Sequence, residues 1–405
     1  MAFEIALSGL TAATSDLNVT ANNIANANTT GFKLSRAEFA DVYAAGAKSL
    51  NTGLTGDGVR LAATAQQFTQ GNVTSTSSNL DLALSGEGFF TLHGADGYSY
   101  SRNGAFGVDK NGDVVASTGK ALQVYPPLVN GGFNTGAMIN LNLQTAQSAP
   151  NATTSGNIIV NLPAQAAVPA VAVFDPTNPA SYNNSTTTSV YDSLGNQYDA
   201  TFYFIQTATP NQWQVALTVN GTQVGAPQAL QFSNTGLQTV PAGGGITFPA
   251  FAPPSGAQPI NMTFNFGKTT QYGSQFAVNA ITQDGFTTGQ LANVAIDNTG
   301  VVSAVFSNGR STQLGQLAIA NFPNPQGLRQ LGDTSWSETF ASGNVVRGQA
   351  ASAGFGTVQS GALEQSNVDL TTQLVQMITA QRNFQANAQM ITTADQTTQT
   401  IINIR

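Results

Sequence analysis

Apolar residues recur with helical spacing at both ends of this chain and with strand spacing between them. Near the N-terminus, Phe3, Leu7, Leu10, Thr14, Leu17, Ala21 and Ile24 follow alternating steps of four and three, and six of the seven are apolar. That is a heptad seam of period about 3.5, the spacing with which helices pair along a stripe. The pattern breaks at Asn26-Ala27-Asn28-Thr29-Thr30-Gly31, where Asn and Gly favour helix ends and turns. The C-terminus repeats the steps through Leu370, Leu374, Met377, Gln381, Phe384, Ala388, Ile391, Asp395, Thr398 and Ile402, of which seven of ten are apolar. Ser366-Asn367-Val368-Asp369 reads as a capping box, with the acid near the positive end of the helix dipole. The predicted helix runs from about 369 to 404 and is about 50 Å long at 1.5 Å per residue. Such a helix exceeds a small domain and should pack along other long helices.

Between the ends the period changes to two. Val190-Tyr191 leads into a turn at Asp192-Ser193-Leu194-Gly195-Asn196. Tyr198, Ala200, Phe202 and Phe204 then alternate with Asp199, Thr201, Tyr203 and Ile205, and Trp213, Val215, Leu217 and Val219 follow in the same rhythm. Asn220-Gly221 supplies a hairpin turn. Short turns between successive strands imply antiparallel sheets, and no long helical pattern intervenes to make a βαβ unit. The stretches from about 144 to 180 and from 241 to 259 are rich in Pro, Gly and small residues and read as loops.

The expected class is mainly β with long terminal α-helices, nested so that the pairing ends enclose everything between them. Residues 1–30 and 366–405 form a coiled-coil layer. Residues 31–71 and 355–365 are extended linkers. Residues 72–144 with 285–354 form an inner β domain, and 145–284 an outer β domain inserted in it, both antiparallel.

Charge changes this picture. Only 8 % of residues are charged, against about 25 % in ordinary soluble domains. A chain with 23 Phe and long alternating runs is nevertheless a folding chain. Surfaces this poor in charge suit stacking of like copies, since repulsion between them is small. The terminal helices carry Gln, Thr and Asn outside their seams rather than Lys and Glu pairs. Such helices are marginal alone and are expected to be disordered in the monomer and to order on assembly. The net charge is -7, with no Lys or Arg between Lys120 and Lys268, which excludes a nucleic-acid footprint. No stretch offers the ~20 apolar residues of a membrane helix. The first basic residue is Lys33, so no secretory leader is expected, and export would use a route without a cleaved signal.

Candidate chemistry is sparse. The chain has no Cys, and His93 is its one histidine, on an alternating Phe89-Phe90-Thr91-Leu92-His93 strand. A serine triad or a zinc site would lack partners. Asp109-Lys110-Asn111-Gly112-Asp113 opens like a calcium loop, but Val114 and Lys120 stand where glycine and the bidentate acid belong, so a β-turn is expected. Asp192 and Asp199 are isolated carboxylates, the first placed to begin a turn. Gly86-Glu87-Gly88 and Gly354-Phe355-Gly356 have neither a following helix nor a basic residue to cradle phosphate. No cofactor, no metal and no enzymatic activity are expected.

The two ends resemble the flagellar axial family of rod, hook and hook-associated proteins. The resemblance rests on Leu7-Ser8-Gly9-Leu10, on Asn22-Asn23-Ile24-Ala25-Asn26, on Thr30-Gly31-Phe32-Lys33, and on Ser35-Arg36 with Phe39-Ala40-Asp41-Val42-Tyr43. At the far end it rests on Ser366-Asn367-Val368-Asp369-Leu370, Met377-Ile378, Gln381-Arg382-Asn383-Phe384 and Asn403-Ile404-Arg405. Tyr191-Asp192-Ser193-Leu194-Gly195 and Leu317-Ala318-Ile319-Ala320-Asn321-Phe322 look like the hook branch, and the inserted domain is too large for a distal rod subunit. Gln373 departs from the family's usual Glu.

The resemblance implies a homopolymer, a curved flexible tube acting as a universal joint between rod and filament. It implies location in the extracellular flagellar hook and export through the flagellar type III apparatus. It also implies assembly beneath a hook cap, on the distal rod protein, with hook–filament junction proteins following. The seam residues named above would carry self-assembly, with Asn22, Asn23, Asn26, Gly31, Phe32, Ser366, Asn367 and Asp369 as family motif. Gln381, Asp395 and Thr398 would either set register in the seam or face solvent or the lumen. A rod subunit and a secreted β-rich adhesin are the rival readings.

Overall fold

The computed structural model describes residues 2–42, 56–143 and 147–403. Helix α1 spans Ala2–Ala25 and helix α2 spans Leu370–Asn403. They pack on each other within the single chain, so the expectation that both ends order only on assembly is corrected, and every other described element is a strand or a short 3-10 turn. The chain divides into two compact units. One comprises 1–144, 293–305 and 311–405; the other comprises 145–292 and 306–310.

In the first unit the principal sheet runs Val301–Phe306, Ser311–Asn321, Ala121–Tyr125, Phe89–Gly94, Gly97–Ser101, Ser335–Ser337 and Arg329–Gly332. Phe89, Tyr100, Phe322 and Trp336 form its aromatic core, with Phe68 edge-on to Phe89 and Trp336, both at 5.5 Å between centroids. Edge-to-face packing suits the ring quadrupoles. Strand Ser35–Asp41 pairs with Val59–Gln66 as a hairpin that lies along α1. Two short ladders, Thr357–Ser360 with Leu82–Ser85 and Val73–Ser75 with Ala362–Glu364, lead the chain from the sheet to α2.

The second unit is two sheets around a shared core. Strands Asn184–Tyr191, Gln197–Gln206 and Gln212–Val219 form an antiparallel meander, with Phe202 opposite Leu217 and Phe204 opposite Val215. Asn220 and Gly221 both have positive φ, 48° and 78°, as a tight hairpin of matching twist requires. The alternation puts Tyr198, Ala200, Phe202 and Phe204 inside. There they meet Phe248, Met262, Phe264 and Phe266 of the second sheet, with Phe202 and Phe264 rings 4.8 Å apart.

That second sheet departs from the expectation in three ways. The stretch read as loop from 144 to 180 contains strand Ser155–Pro163, whose Ile158, Val160 and Leu162 are fully buried. The stretch from 241 to 259 contains strand Gly245–Phe251, burying Ile246 and Phe248. Composition hid both, because a few apolar residues at alternate positions suffice for a strand once a partner sheet covers them. The pairing is also mixed. Ser155–Pro163 runs parallel to Ile260–Asn265 and Thr270–Tyr272 and antiparallel to Ala277–Gln283.

The remaining candidates sit where a structural role predicts. His93 is exposed, its ring 4.8 Å from that of Tyr98. Asp109 caps a turn, its Oδ1 accepting from the Asn111 and Asp113 amides at 2.8 Å each. Tyr43, Ile404 and Arg405 lie outside the described residues. Among the described residues no helix is long and apolar enough to cross a membrane.

Candidate assembly surface

The motif residues of both chain ends meet where the helices join the first unit. Asn23 is buried on α1, and its side-chain amide completes a two-bond pairing with the backbone of Ser35: Nδ2 donates to Ser35 O at 2.7 Å and Oδ1 accepts from Ser35 N at 3.0 Å. The same Nδ2 donates to Gln373 Oε1 of α2 at 3.0 Å. Asn367 does the equivalent from the other end, accepting from the Leu34 amide at 2.7 Å and donating to the carbonyls of Gln67 and Thr69. Asparagine serves here because one planar group supplies both donor and acceptor. Gly31 has φ +70°, and its amide donates to Glu364 O at 2.8 Å. A Cβ at Gly31 would sit 2.5 Å from the Asn103 nitrogen, so no side chain fits. Asn22 and Asn26 bond to each other at the end of α1, and Phe32 is buried just beyond.

Beneath this knot lies an ion cluster that sequence reading did not anticipate. Lys33 Nζ donates to Glu364 Oε1 at 2.6 Å and to Thr69 O at 2.7 Å, with both charged side chains fully buried. Arg102 donates to the other Glu364 oxygen at 3.3 Å and to Gly86 O at 2.7 Å. The Gly71 amide also donates to Glu364, at 2.9 Å. Burial pulls the Lys33 ammonium below its usual range, and the adjacent Glu364 works against that pull. In a chain so poor in charge, two cations and an acid spent in one dry site mark a junction. The sequence signal available was Lys33 itself, a cation flanked by Phe32 and Leu34.

The predicted capping box is corrected. Asp369, not Ser366, caps α2: its Oδ1 accepts from the Thr372 amide at 2.7 Å, while Ser366 Oγ accepts from Val368 N at 3.3 Å. The Thr372 bonds hold the Asp369 carboxyl below its usual range.

The helices pair antiparallel, since Asn23 meets Gln373 and Gly9 lies against Asn387. The predicted seams do not form this contact as a whole. On α1 the most covered positions are Ala6, Ala13, Thr20 and Asn23, joined by Gly9, where a Cβ would lie 2.5 Å from Asn387 Oδ1. These keep heptad steps, but each stands one residue before a predicted position. One residue is about 100° of helix rotation. The apolar stripe is therefore turned away from α2, and on the far side from the hairpin that contacts Ile5 and Ser8. Phe3 and Leu7 are 46 % and 47 % exposed; Leu10, Leu17 and Ile24 are half-buried and Ala21 is exposed.

On α2 the more covered line is Gln373, Met377, Ala380, Asn387 and Ile391. Met377 and Ile391 belong to the predicted seam, and Ala388 is half-buried beside it. Leu370, Leu374 and Phe384 are exposed, as are Gln381, Asp395 and Thr398. The side chain of Ile402 lies outside the described residues. Phe3, Ala386, Met390 and Ala394 line an open groove of about 780 Å³ between the two helices. Small and amide residues let the backbones approach, while the large apolar residues remain for another surface.

Four family models match the chain. "Flagella basal body rod protein" matches residues 3–33, "Flagellar hook protein FlgE/F/G D1 domain" 83–165, "Flagellar basal body protein FlaE D2 domain" 161–286, and "Flagellar basal body rod FlgEFG protein C-terminal" 359–404. The flagellar hook protein FlgE of Escherichia coli K12 is 38 % identical over the whole of both chains. This chain belongs to the flagellar hook protein family. The hook protein of Borreliella burgdorferi is 34 % identical over 98 % of each chain. The crystal structure of the Helicobacter pylori flagellar hook protein FlgE2 shares the fold, with a TM-score of 0.53 at 15 % identity, covering 72 % of this chain and all of that one. The Asn23 and Asn367 hydrogen bonds join both chain ends to the strand and loop segments beside the helix pair.

Proposed function

We propose that this hook-family chain polymerises into the curved tube of the flagellar hook through the large apolar residues of α1 and α2 that lie outside their mutual contact. The observation that carries the reading is the one-residue offset: Leu7, Leu10, Leu17 and Ile24 keep a heptad spacing one position off the line of small residues that α1 sets against α2. A heptad stripe left outside an intramolecular pair is matched by the same stripes of neighbouring copies. Assembly then covers the part of these side chains that the monomer leaves exposed, at about 25 cal/mol per Å² of apolar area removed from water.

The tube bends as a universal joint because neighbouring copies meet through polar, weakly charged β surfaces. Exposed polar contacts contribute only about 1 kcal/mol each, so they are remade at little cost as the tube bends. The role is mechanical, without catalysis. Export by the flagellar type III route, growth under a hook cap on the distal rod, and hand-over to junction proteins complete the reading. The test is a Leu10→Ser, Leu17→Ser double variant: the monomer should melt within a few degrees of the parent and form no tubes by electron microscopy. Tubes of ordinary appearance from that variant would reject the stripe as the assembly surface.

A further inference from the structure

One aromatic side chain of the first unit is displayed to water in full. Phe340 is 105 % exposed relative to a free reference residue, the most exposed aromatic among the described residues. Isolated apolar residues on a surface are ordinary, and a Phe on a loose loop would mean nothing. This one stands at the apex of a pinned turn. Thr339 N donates to Ser342 Oγ at 2.9 Å, and Ser342 Oγ donates to Thr339 O at 2.8 Å. Thr339 Oγ1 accepts from the Ala341 amide at 3.1 Å and donates to Gly327 O. Asn324 closes the other side, its Nδ2 donating to Ala341 O at 3.0 Å and its amide to Ser342 O at 3.2 Å. Ser342 is fully buried, and a Cβ at Gly327 would lie 2.5 Å from the Ala341 carbonyl carbon, so the turn is clamped against the segment beneath it.

The turn also sits at the margin of the sheet. It follows strand Ser335–Ser337, whose partner Arg329–Gly332 is the last strand in the sheet order and exposed at all four residues. An uncovered strand edge and a fully presented aromatic thus occupy one corner. A rigid backbone carrying an unspent aromatic is the composition of an interface hot spot, because docking freezes little that is not already frozen.

We infer that Phe340 is an intersubunit anchor, a knob by which the sheet corner of one copy docks on a different face of a second copy. The occupant is a second copy because this is a hook-family chain; the inference rests on the polymer reading above. A knob and its receiving face are different patches, so the contact is heterologous and propagates into an open helical array instead of closing a dimer.

The test uses the full chain in three forms: parent, Phe340→Ser, and a form with the photo-cross-linker benzoylphenylalanine at 340. Phe340→Ser should leave the monomer melting temperature unchanged and raise the critical concentration for tube formation about tenfold or more. Irradiated tubes of the third form should give a cross-linked dimer ladder that irradiated monomer does not. An unchanged critical concentration, a lowered melting temperature, or tubes without cross-linked copies would each overturn the anchor while leaving the polymer reading intact. No tubes from the parent chain would overturn both.

Discussion

The Glu364 carboxylate accepts three hydrogen bonds in a buried site, two of them from the cations Lys33 and Arg102. Removing one member of a buried ion cluster leaves the rest uncompensated, which typically costs about 3–5 kcal/mol. Glu364→Gln should lower monomer stability by that order in thermal or denaturant unfolding, with Lys33→Met close behind. In the second unit Asp192 occupies a comparable place without any cation. Burial pushes its carboxyl up, but bonds from the Asn196 and Ser255 side chains and the Asn196 and Leu194 amides outweigh it and bring it down to about 2. A carboxyl depressed in the folded state stabilises it above the unfolded value, about 3.9. That contribution is lost as pH falls from about 4 toward 2. Asp284, which accepts from Thr154 and Ser155, is lowered as well and acts in the same sense. Melting temperatures across that window should fall, and Asp192→Asn should flatten the fall while lowering stability at neutral pH.

At the scale of the element, helix α1 carries two lines with the same period. The line of Ala6, Gly9, Ala13, Thr20 and Asn23 serves the chain's own α2, and the apolar line beside it is left outward. Substitutions on the two lines should therefore separate two properties. Ala13→Leu overfills a buried helix contact and should destabilise the monomer's helix pair by about 1–3 kcal/mol, read as lost helical circular dichroism. Leu10→Ser should leave that signal in place and abolish assembly. Equal effects of both substitutions on the helical signal would mean that the two lines are not distinct.

The whole molecule is a helix pair and two β units with separate cores. A form lacking 1–30 and 369–405 retains the aromatic core of the first unit and the whole core of the second. It should be a folded, β-rich monomer that forms no tubes, whereas the full chain assembles. Tubes from the truncated form, seen by electron microscopy, would place the assembly surface on the β units and reject the role given to the ends.

Much of the architecture is written in local pattern. Heptad steps at both ends and alternation through 198–219 required no partner to be legible, since helical and strand periods are properties of a single segment. Asn220-Gly221 as a hairpin, the helix stop near Asn26 and the structural placement of His93 and Asp109 belong to the same class. Strands Ser155–Pro163 and Gly245–Phe251 were not legible, because each is a strand only by virtue of the sheet that covers it. The parallel pairing of the first is likewise a product of distant segments. So is the Lys33–Glu364–Arg102 cluster, whose acid lies more than 200 residues along the chain from either cation. The heptad stripe of each terminal helix is a local property of its own residues. Which way the stripe of α1 faces depends on its packing against α2 and the hairpin. A rotation of one residue moves a side chain through about 100°, and close approach of two backbones selects the line of small residues for the inside, leaving the large apolar line for another surface.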